Sequence, residues 1–233
     1  MRIEQRHQMA ATAIPVQLQV DDTRRVSALL DRPDEAKACL VLAHGAGAGM
    51  RHPSMTSLAE GLAERGIATL RYQFPYMEQG GRRPDPPPLC HATVRTAVAE
   101  ARRLMPGAAL FAGGRSFGGR MTSQAQAIEA LADVKGLVFF AFPLHPAGKP
   151  DAARAAHLGK VRIPMLFLQG TRDALADLTL LEPLAAELGA RAALKTLEGA
   201  DHSFHVLARS GREDEEVRRE MLDAAAGWLT AAR

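Results

Sequence analysis

Short apolar runs alternate with longer amphipathic segments along most of the chain. In the longer segments, apolar residues recur every three or four positions, which predicts helices with one buried face. Strands that alternate with helices in this way typically form a mostly parallel sheet covered on both faces. The sequence therefore predicts an α/β fold with about seven or eight strands. The predicted strands are residues 15–20, 25–30, 39–43, 67–72, 108–112, 137–142, 165–168 and 192–197.

Residues typical of turns and loops indicate how the predicted strands and helices are connected. The first two strands are expected to form an antiparallel edge pair joined by a turn at Asp21 and Asp22. Residues 73–89 are rich in proline and glycine, which predicts irregular structure. No linker separates the strands into two groups, so residues 1–233 are interpreted as one domain. The predicted helices cover residues 55–63, 94–104, 117–131 and 180–188, with a last one from Glu213 onward.

Composition narrows the class of partner. Hydrophobic residues make up 47% and charged residues 24% of the chain, values that are typical of a globular protein in water. The net charge is only +3, and the arginine pairs are scattered among acidic residues. A nucleic-acid-binding protein usually clusters its positive charge on one face. We therefore expect a small-molecule substrate and no nucleic-acid partner; the pattern gives no indication of oligomeric state.

Targeting and metal signals are weak. Residues 1–20 lack the apolar segment of a secretory signal, and the longest apolar run, residues 137–142, is too short to span a bilayer. Cys39 and Cys90 show neither metal-ligand spacing nor a pattern that requires a disulfide. These features predict a cytoplasmic protein that binds no membrane, metal or cofactor.

A candidate nucleophile lies between a predicted strand and a predicted helix. Residues 114–118 read Gly-Arg-Ser-Phe-Gly and match the G-x-S-x-G pattern. At such a sharp turn Ser116 would adopt a strained backbone and expose its hydroxyl above the sheet. The N–H of Phe117 would start the helix and could stabilise an oxyanion. The alternative is a glycine-rich turn with a serine that merely faces solvent.

Serine needs a base, and His202 is the preferred candidate. It follows the last predicted strand in a short polar loop, from which an imidazole could reach Ser116. His205 is the rival, but its position predicts packing near the closing helix. A purely structural histidine remains the alternative reading for His202.

Asp173 is the preferred acid, because it follows the strand at residues 165–168 and precedes the histidine in chain order. It would orient His202 and stabilise the imidazolium. Asp177 is a weaker candidate that is better placed to cap the next helix. Asp201 adjoins His202 and is interpreted as a residue that fixes the loop; a turn-forming role for Asp173 is the alternative.

A glycine-rich loop follows the strand at residues 39–43. Residues 44–49 read His-Gly-Ala-Gly-Ala-Gly, and this is the usual place for a second oxyanion donor, here the N–H of Ala46. His44 is expected to brace the loop. A phosphate-binding or dinucleotide-binding loop is not supported, because the G-K-[ST] ending and the acidic residue about twenty positions on are both absent.

Some side chains are expected near the substrate. Arg115 and His145, with Lys149, could favour a substrate that carries a carboxylate or phosphate. Tyr76 belongs to the proline-rich loop that could form one wall. The alternative is a solvated rim and a histidine that braces the backbone. Only about twenty residues precede the strand at 165, which leaves no room for a large lid.

Five segments together resemble the α/β-hydrolase superfamily. Within it, they are similar to the dienelactone-hydrolase-related group that includes testis-expressed and NSL-complex-subunit-like proteins, from about residue 25 to the end of the chain. The resemblance implies a triad of Ser116, Asp173 and His202, with Ala46 and Phe117 as oxyanion donors. The segments are HGAGAGM (44–50), GGRSFGGR (113–120), FPLHPAGKP (142–150), QGTRD (169–173) and GADHSF (199–204).

The resemblance also has a limit. Dienelactone hydrolase itself uses a cysteine nucleophile, so Ser116 does not support a dienelactone substrate. The leading hypothesis is a serine hydrolase that cleaves a carboxylic ester or thioester through an acyl-enzyme. An acyltransferase with the same residues is one alternative, and a non-catalytic interaction module on a hydrolase fold is the other.

Overall fold

The computed structural model describes residues 13–231, which form one sheet covered by helices. The strands follow the order β1-β2-β4-β3-β5-β6-β7-β8. β1 pairs antiparallel with β2, and β2 with β4, whereas all other neighbours are parallel. The strands are β1 (Ile14–Gln19), β2 (Arg25–Asp31), β3 (Ala38–Ala43), β4 (Ile67–Tyr72), β5 (Ala109–Arg115), β6 (Val134–Phe140), β7 (Met165–Gly170) and β8 (Ala192–Leu197).

Helices cover both faces of the sheet. Apolar residues of α1 and α6 bury one face, and those of α3, α4 and α5 bury the other. Successive residues of the fully buried strand β3 contribute alternately to the two layers, as the strand period requires. The helices are α1 (Pro53–Ala63), α2 (Pro75–Glu78), α3 (Pro87–Leu104), α4 (Phe117–Ile128), α5 (Leu178–Leu188) and α6 (Asp214–Ala231).

The predicted fold class is confirmed: the sheet is mostly parallel, helices lie on both faces, and no large cap interrupts the described chain. The segment between β6 and β7 contains only the short 3-10 helix Ala153–Lys160, which the sequence pattern did not reveal. In the part of the chain from 13 to 231, no helix combines the length and apolarity that a membrane crossing requires.

The prediction that residues 73–89 are irregular was partly wrong. α2 starts at Pro75, and α3 starts at Pro87, well before the expected residue 94. Proline is tolerated in the first turn of a helix because its missing N–H has no partner there in any case, and its fixed φ already suits the helix. These prolines therefore begin helices where the sequence pattern predicted a break.

A buried ion pair joins β2 to β4 and, through Arg71, to the loop that follows β3. Arg71 Nε lies 2.9 Å from Asp31 Oδ2, and the two side chains are only 3% and 4% exposed. Arg71 Nη1 also donates to the backbone oxygen of Met50 (3.1 Å) and to Thr56 Oγ1 (2.9 Å). Near the other end of β2, Ser27 donates its N–H and its hydroxyl to the carboxylate of Glu78. Both ends of β2 are thus bonded to neighbouring segments.

Removal of the carboxylate charge at Asp31 tests this tie. Asp31→Asn leaves the Arg71 guanidinium buried without a counter-ion, so we expect a loss of about 3–5 kcal/mol in the free energy of unfolding, measured in urea. Asp133→Asn is the matched control, because Asp133 pairs with Arg102 at the surface, and we expect it to cost about 1 kcal/mol or less. Equal effects of the two variants would contradict the interpretation.

Candidate active site

Ser116 stands at the turn between β5 and α4, as the sequence predicts for a nucleophile elbow. Its φ of 49° and ψ of −117° are an uncommon conformation for a residue with a Cβ. The strain is held by the surrounding structure: the N–H of Ser116 donates to the backbone oxygen of Phe140 at 2.9 Å. The turn therefore presents the hydroxyl at the carboxyl edge of the sheet.

Two glycines let the elbow approach β3 closely. A Cβ on Gly118 would lie 2.5 Å from the backbone oxygen of His44, and one on Gly114 would lie 2.6 Å from that of Ala43. Side chains at these positions would push α4 away from the sheet. The glycines of the G-x-S-x-G pattern are thus required by backbone-to-backbone contact.

The structure brings the three predicted residues together in a linear arrangement. His202 Nε2 lies 2.8 Å from Ser116 Oγ, and His202 Nδ1 lies 2.7 Å from Asp173 Oδ2. Ser116 follows β5, Asp173 follows β7 and His202 follows β8, so all three stand on loops at one edge of the sheet. The arrangement allows His202 to take the serine proton while Asp173 accepts the hydrogen bond from its other ring nitrogen.

The carboxylate of Asp173 is fixed and dehydrated. Its side chain is 0% exposed, and Oδ1 accepts the N–H of Leu175 at 2.8 Å. Oδ2 also accepts from Gln169 Nε2. Sequence reasoning missed Gln169, although a polar residue near the end of the buried strand β7 was the available signal. These bonds orient Asp173 toward the imidazole.

The alternative acid and base candidates have other partners. His205 Nδ1 lies 2.8 Å from Asp214 Oδ2 in an exposed pair, which engages it at the surface. Asp177 accepts the N–H of Thr179 at the start of α5 and therefore caps that helix. Asp201 accepts the N–H groups of Ser203 and His205 and so fixes the loop around His202.

His44 holds the peptide that carries the Ala46 N–H. Its Nδ1 lies 2.7 Å from the backbone oxygen of Gly45, and its Nε2 accepts the N–H of Phe74 at 3.1 Å. The ring must therefore be the neutral tautomer with a proton on Nδ1. Burial lowers the pKa of His44 to about 4, which keeps it neutral. Because the Gly45 oxygen and the Ala46 N–H belong to one peptide unit, this bond orients the predicted donor.

The two predicted oxyanion donors are available. Within residues 13–231, neither the N–H of Ala46 nor that of Phe117 donates to a protein acceptor. The loop that carries Ala46 passes close to the nucleophile, since a Cβ on Gly45 would lie 3.9 Å from Ser116 Cβ. Phe117 opens α4, where N–H groups lack helical partners and the helix dipole favours negative charge.

The expected substrate contacts of Tyr76 and His145 need correction. Tyr76 is 5% exposed, and its hydroxyl donates to the backbone oxygen of Ala46 at 2.8 Å. His145 is 3% exposed, with Nδ1 bonded to the Pro146 oxygen and Nε2 accepting the N–H of Asp177. Both side chains brace loops, because backbone groups occupy the polar atoms that a substrate would need.

Arg115 is half-buried beside the loop of His202. It donates to Ser54 Oγ at 2.7 Å and makes a longer contact of 3.4 Å to the backbone oxygen of His202. It also lines a cavity of about 200 Å³ with apolar side chains that include Phe140 and Phe204. Its substrate contact stays a prediction, whereas its support of the His202 loop is visible.

Across residues 13–231, no three His, Cys, Asp or Glu side chains are grouped so that they could hold a metal ion. Cys39 and Cys90 are buried free thiols. The side chains bonded in series to Ser116, those of His202 and Asp173, are of the types that transfer a proton in acyl-transfer sites.

The fold and the order of these loops define the α/β-hydrolase class. A family model described as an alpha/beta hydrolase domain matches residues 36–230, and the chain therefore belongs to this family.

Solved structures show the same architecture. A serine hydrolase without a lid from Xanthomonas campestris is 21% identical and matches with a TM-score of 0.73, covering 93% of this chain and 95% of that one. Dienelactone hydrolase from Anabaena variabilis is 19% identical, with a TM-score of 0.74 and coverage of 95% and 98%. An esterase domain from Rhodothermus marinus is 16% identical, with a TM-score of 0.68 and coverage of 93% and 97%. At these identities the likeness concerns the fold.

The close approach at the elbow can be tested by adding one methyl group. Gly118→Ala should lower the free energy of unfolding by about 1–3 kcal/mol, because the new Cβ must displace backbone. Gly227→Ala is the matched control on α6, where a Cβ would meet nothing within 4 Å. There we expect a gain of about 0.5–1 kcal/mol from helix propensity. Urea unfolding measures both, and a neutral Gly118→Ala would refute the argument.

Proposed function

We propose that this protein is a serine hydrolase that cleaves a carboxylic ester or thioester of a small soluble substrate. The observation that carries the proposal is the continuous hydrogen-bonded path from Ser116 Oγ through His202 to Asp173. The N–H groups of Ala46 and Phe117, which donate to no acceptor within residues 13–231, support the proposal as candidate oxyanion donors.

The first half of the reaction forms an acyl-enzyme. Ser116 Oγ attacks the carbonyl carbon while its proton passes to His202 Nε2, and the carbonyl oxygen becomes an oxyanion. The N–H groups of Ala46 and Phe117 donate to that oxyanion. Collapse of the intermediate breaks the bond to the leaving alcohol or thiol, which takes the proton from His202.

The second half releases the acid. Water gives a proton to His202 and adds to the acyl carbon, and the second tetrahedral intermediate expels Ser116, which regains its proton. The buried carboxylate of Asp173 stabilises the imidazolium in both halves. His44 takes no proton in this scheme, because it is neutral and buried.

The open architecture supports the proposed substrate class. Only a short segment with one 3-10 helix separates β6 from β7, so no large lid encloses the site in the described chain. An uncovered site suits small, water-soluble esters. The narrower assignment to the dienelactone-hydrolase-related group with testis-expressed and NSL-like members belongs to this proposal, as do a small-molecule partner and a cytoplasmic location. The likeness to dienelactone hydrolase supports the broader grouping.

Covalent labelling tests the nucleophile and base. A fluorophosphonate probe should modify Ser116, and Ser116→Ala or His202→Ala should abolish labelling and lower kcat on p-nitrophenyl butyrate by about 1,000-fold or more. His205→Ala is the matched control, since its ring pairs with Asp214 at the surface, and it should label normally. Unchanged labelling of Ser116→Ala, or hydrolysis that survives it, would overturn the proposed function.

A second test addresses residues 44–49, the loop that carries the Ala46 N–H, which we call the oxyanion loop. Tyr76→Phe removes the hydroxyl that holds the Ala46 carbonyl, so we expect kcat on p-nitrophenyl butyrate to fall about tenfold while KM stays nearly constant. The fall is smaller than that for loss of a donor itself, about 100-fold or more, because the N–H remains present. Tyr72→Phe is the control, because that hydroxyl bonds no residue of the loop. A change confined to KM would argue for substrate contact by Tyr76.

A further inference from the structure

Arg120 lies one helical turn beyond the nucleophile and leans back toward it. Its backbone N–H donates to the backbone oxygen of Ser116 at 3.2 Å. Its guanidinium carbon lies 5.8 Å from the centre of the Phe117 ring, over the residue that opens α4. Helical side chains point toward the start of their helix, and this contact places the guanidinium at the level of the first turn. The guanidinium thus lies beside Phe117, the residue that follows the nucleophile, without belonging to the triad.

Within residues 13–231, the guanidinium of Arg120 has no hydrogen-bond acceptor. Its Nε is buried, and in the described part of the chain it has no hydrogen-bond partner. Nor does any carboxylate there lie within ion-pair distance of Arg120, whereas the buried Arg71 is paired with Asp31. Asp85, on the neighbouring segment, accepts instead from the N–H of Tyr76. The two Nη nitrogens also make no hydrogen bond within residues 13–231, and because they are not buried they can donate to an anion that approaches from outside.

The neighbours of Arg120 are basic. Burial and then the charge of Arg154 lower the pKa of the Arg120 guanidinium, and His157 and His91 also belong to this group. His157 Nε2 lies 2.7 Å from Ser123 Oγ, and His91 Nε2 lies 3.2 Å from Gln124 Oε1. Burial, and then the charge of Arg120, lower the pKa of His157 to about 4, so this imidazole is neutral. We call Arg120, Arg154, His91 and His157 the basic subsite.

Three arginines that are at least partly buried differ in their partners. Arg71 is neutralised by Asp31, and Arg115 donates to Ser54 Oγ, whereas Arg120 has an aromatic ring beneath it and another cation beside it. The ring contact contributes at most a weak attraction. A guanidinium held in this way is suited to a carboxylate or a phosphate, which it can bind with two parallel hydrogen bonds.

We propose that the basic subsite binds an anionic group, a carboxylate or a phosphate, of the substrate whose ester bond Ser116 attacks, with Arg120 as its principal ligand. The inference rests on the proposed function and deepens it, because it names the substrate class as anionic esters. It assigns charge recognition to Arg120, a residue other than the Arg115 and His145 expected from the sequence.

Ester turnover tests the subsite. Three probes are compared: neutral p-nitrophenyl butyrate, mono-p-nitrophenyl glutarate with a carboxylate on the acyl part, and 3-carboxy-4-nitrophenyl butyrate with one on the leaving group. We expect the protein to prefer one of the anionic esters. Arg120→Gln should lower kcat/KM for that ester about 10- to 100-fold, the range for loss of a hydrogen bond to a charged group, and leave the neutral ester within about twofold.

The matched variants separate binding from structure. Arg103→Gln removes the same charge from an exposed arginine paired with Glu100 at the far end of α3, and it should leave the preference unchanged. Arg120→Lys keeps the charge but not the planar fork, so it should retain part of the preference. Thermal unfolding of every variant shows whether it folds. Equal losses on neutral and anionic esters, or no preference in the original protein, would overturn the inference.

A binding measurement separates this inference from the proposed function. Titration calorimetry of Ser116→Ala with glutarate and with inorganic phosphate needs no turnover, and its two arms distinguish a carboxylate from a phosphate site. Weaker binding of either anion on adding Arg120→Gln would support the subsite even if no ester were hydrolysed. Identical binding with and without Arg120 would refute it even if Ser116 proved to be the nucleophile.

Discussion

The site depends on how closely α4 can approach the carboxyl end of β3. Gly114 and Gly118 allow this approach because they have no side chain. A single methyl group on Gly118 would stand 2.5 Å from the backbone oxygen of His44. This contact fixes the first turn of α4 against the loop that carries Ala46, and so brings both unbonded N–H groups beside one hydroxyl. The placement requires a strained backbone conformation at Ser116, with a positive φ.

Histidine serves two opposite purposes around this contact. His44 is buried, neutral and bonded at both nitrogens, which makes it a rigid connector between the oxyanion loop and Phe74. His202 is partly exposed and bonded to a carboxylate on one side and a hydroxyl on the other, which is the arrangement that the proposed reaction requires. The surroundings of the ring, rather than its chemistry, separate the two roles.

Much of the fold was predictable from the sequence, because the buried face of a strand or helix gives its apolar residues a regular spacing. β4 at 67–72 and β8 at 192–197 coincide with the predicted strands. The start of α3 was not predictable in this way, since Pro87 reads as a break in a sequence pattern although it suits a first turn. The short 3-10 helix Ala153–Lys160 was also missed, because its eight residues bury just two apolar side chains, Ala155 and Leu158.

The candidate site was predictable in part for a related reason. Chain order and loop position sufficed to bring together Ser116, Asp173 and His202. Chain order could not show that Tyr76 and His145 form hydrogen bonds with backbone groups. The backbone partners, in Ala46 and Asp177, lie about thirty residues away in the chain. The sequence also could not show that Arg120 Nε has no hydrogen-bond acceptor within residues 13–231, because this depends on which side chains the fold places around it.

The antiparallel hairpin of β1 and β2 precedes residue 36, where the match to the family model begins. Yet β2 supplies the carboxylate of Asp31, and through Arg71 it reaches Met50 at the end of the oxyanion loop. A shortened chain beginning at 36 would also leave β4 as a bare sheet edge, open to pairing with other chains. The sheet that supports the candidate site therefore includes β1 and β2, which lie upstream of the segment that matches the family model.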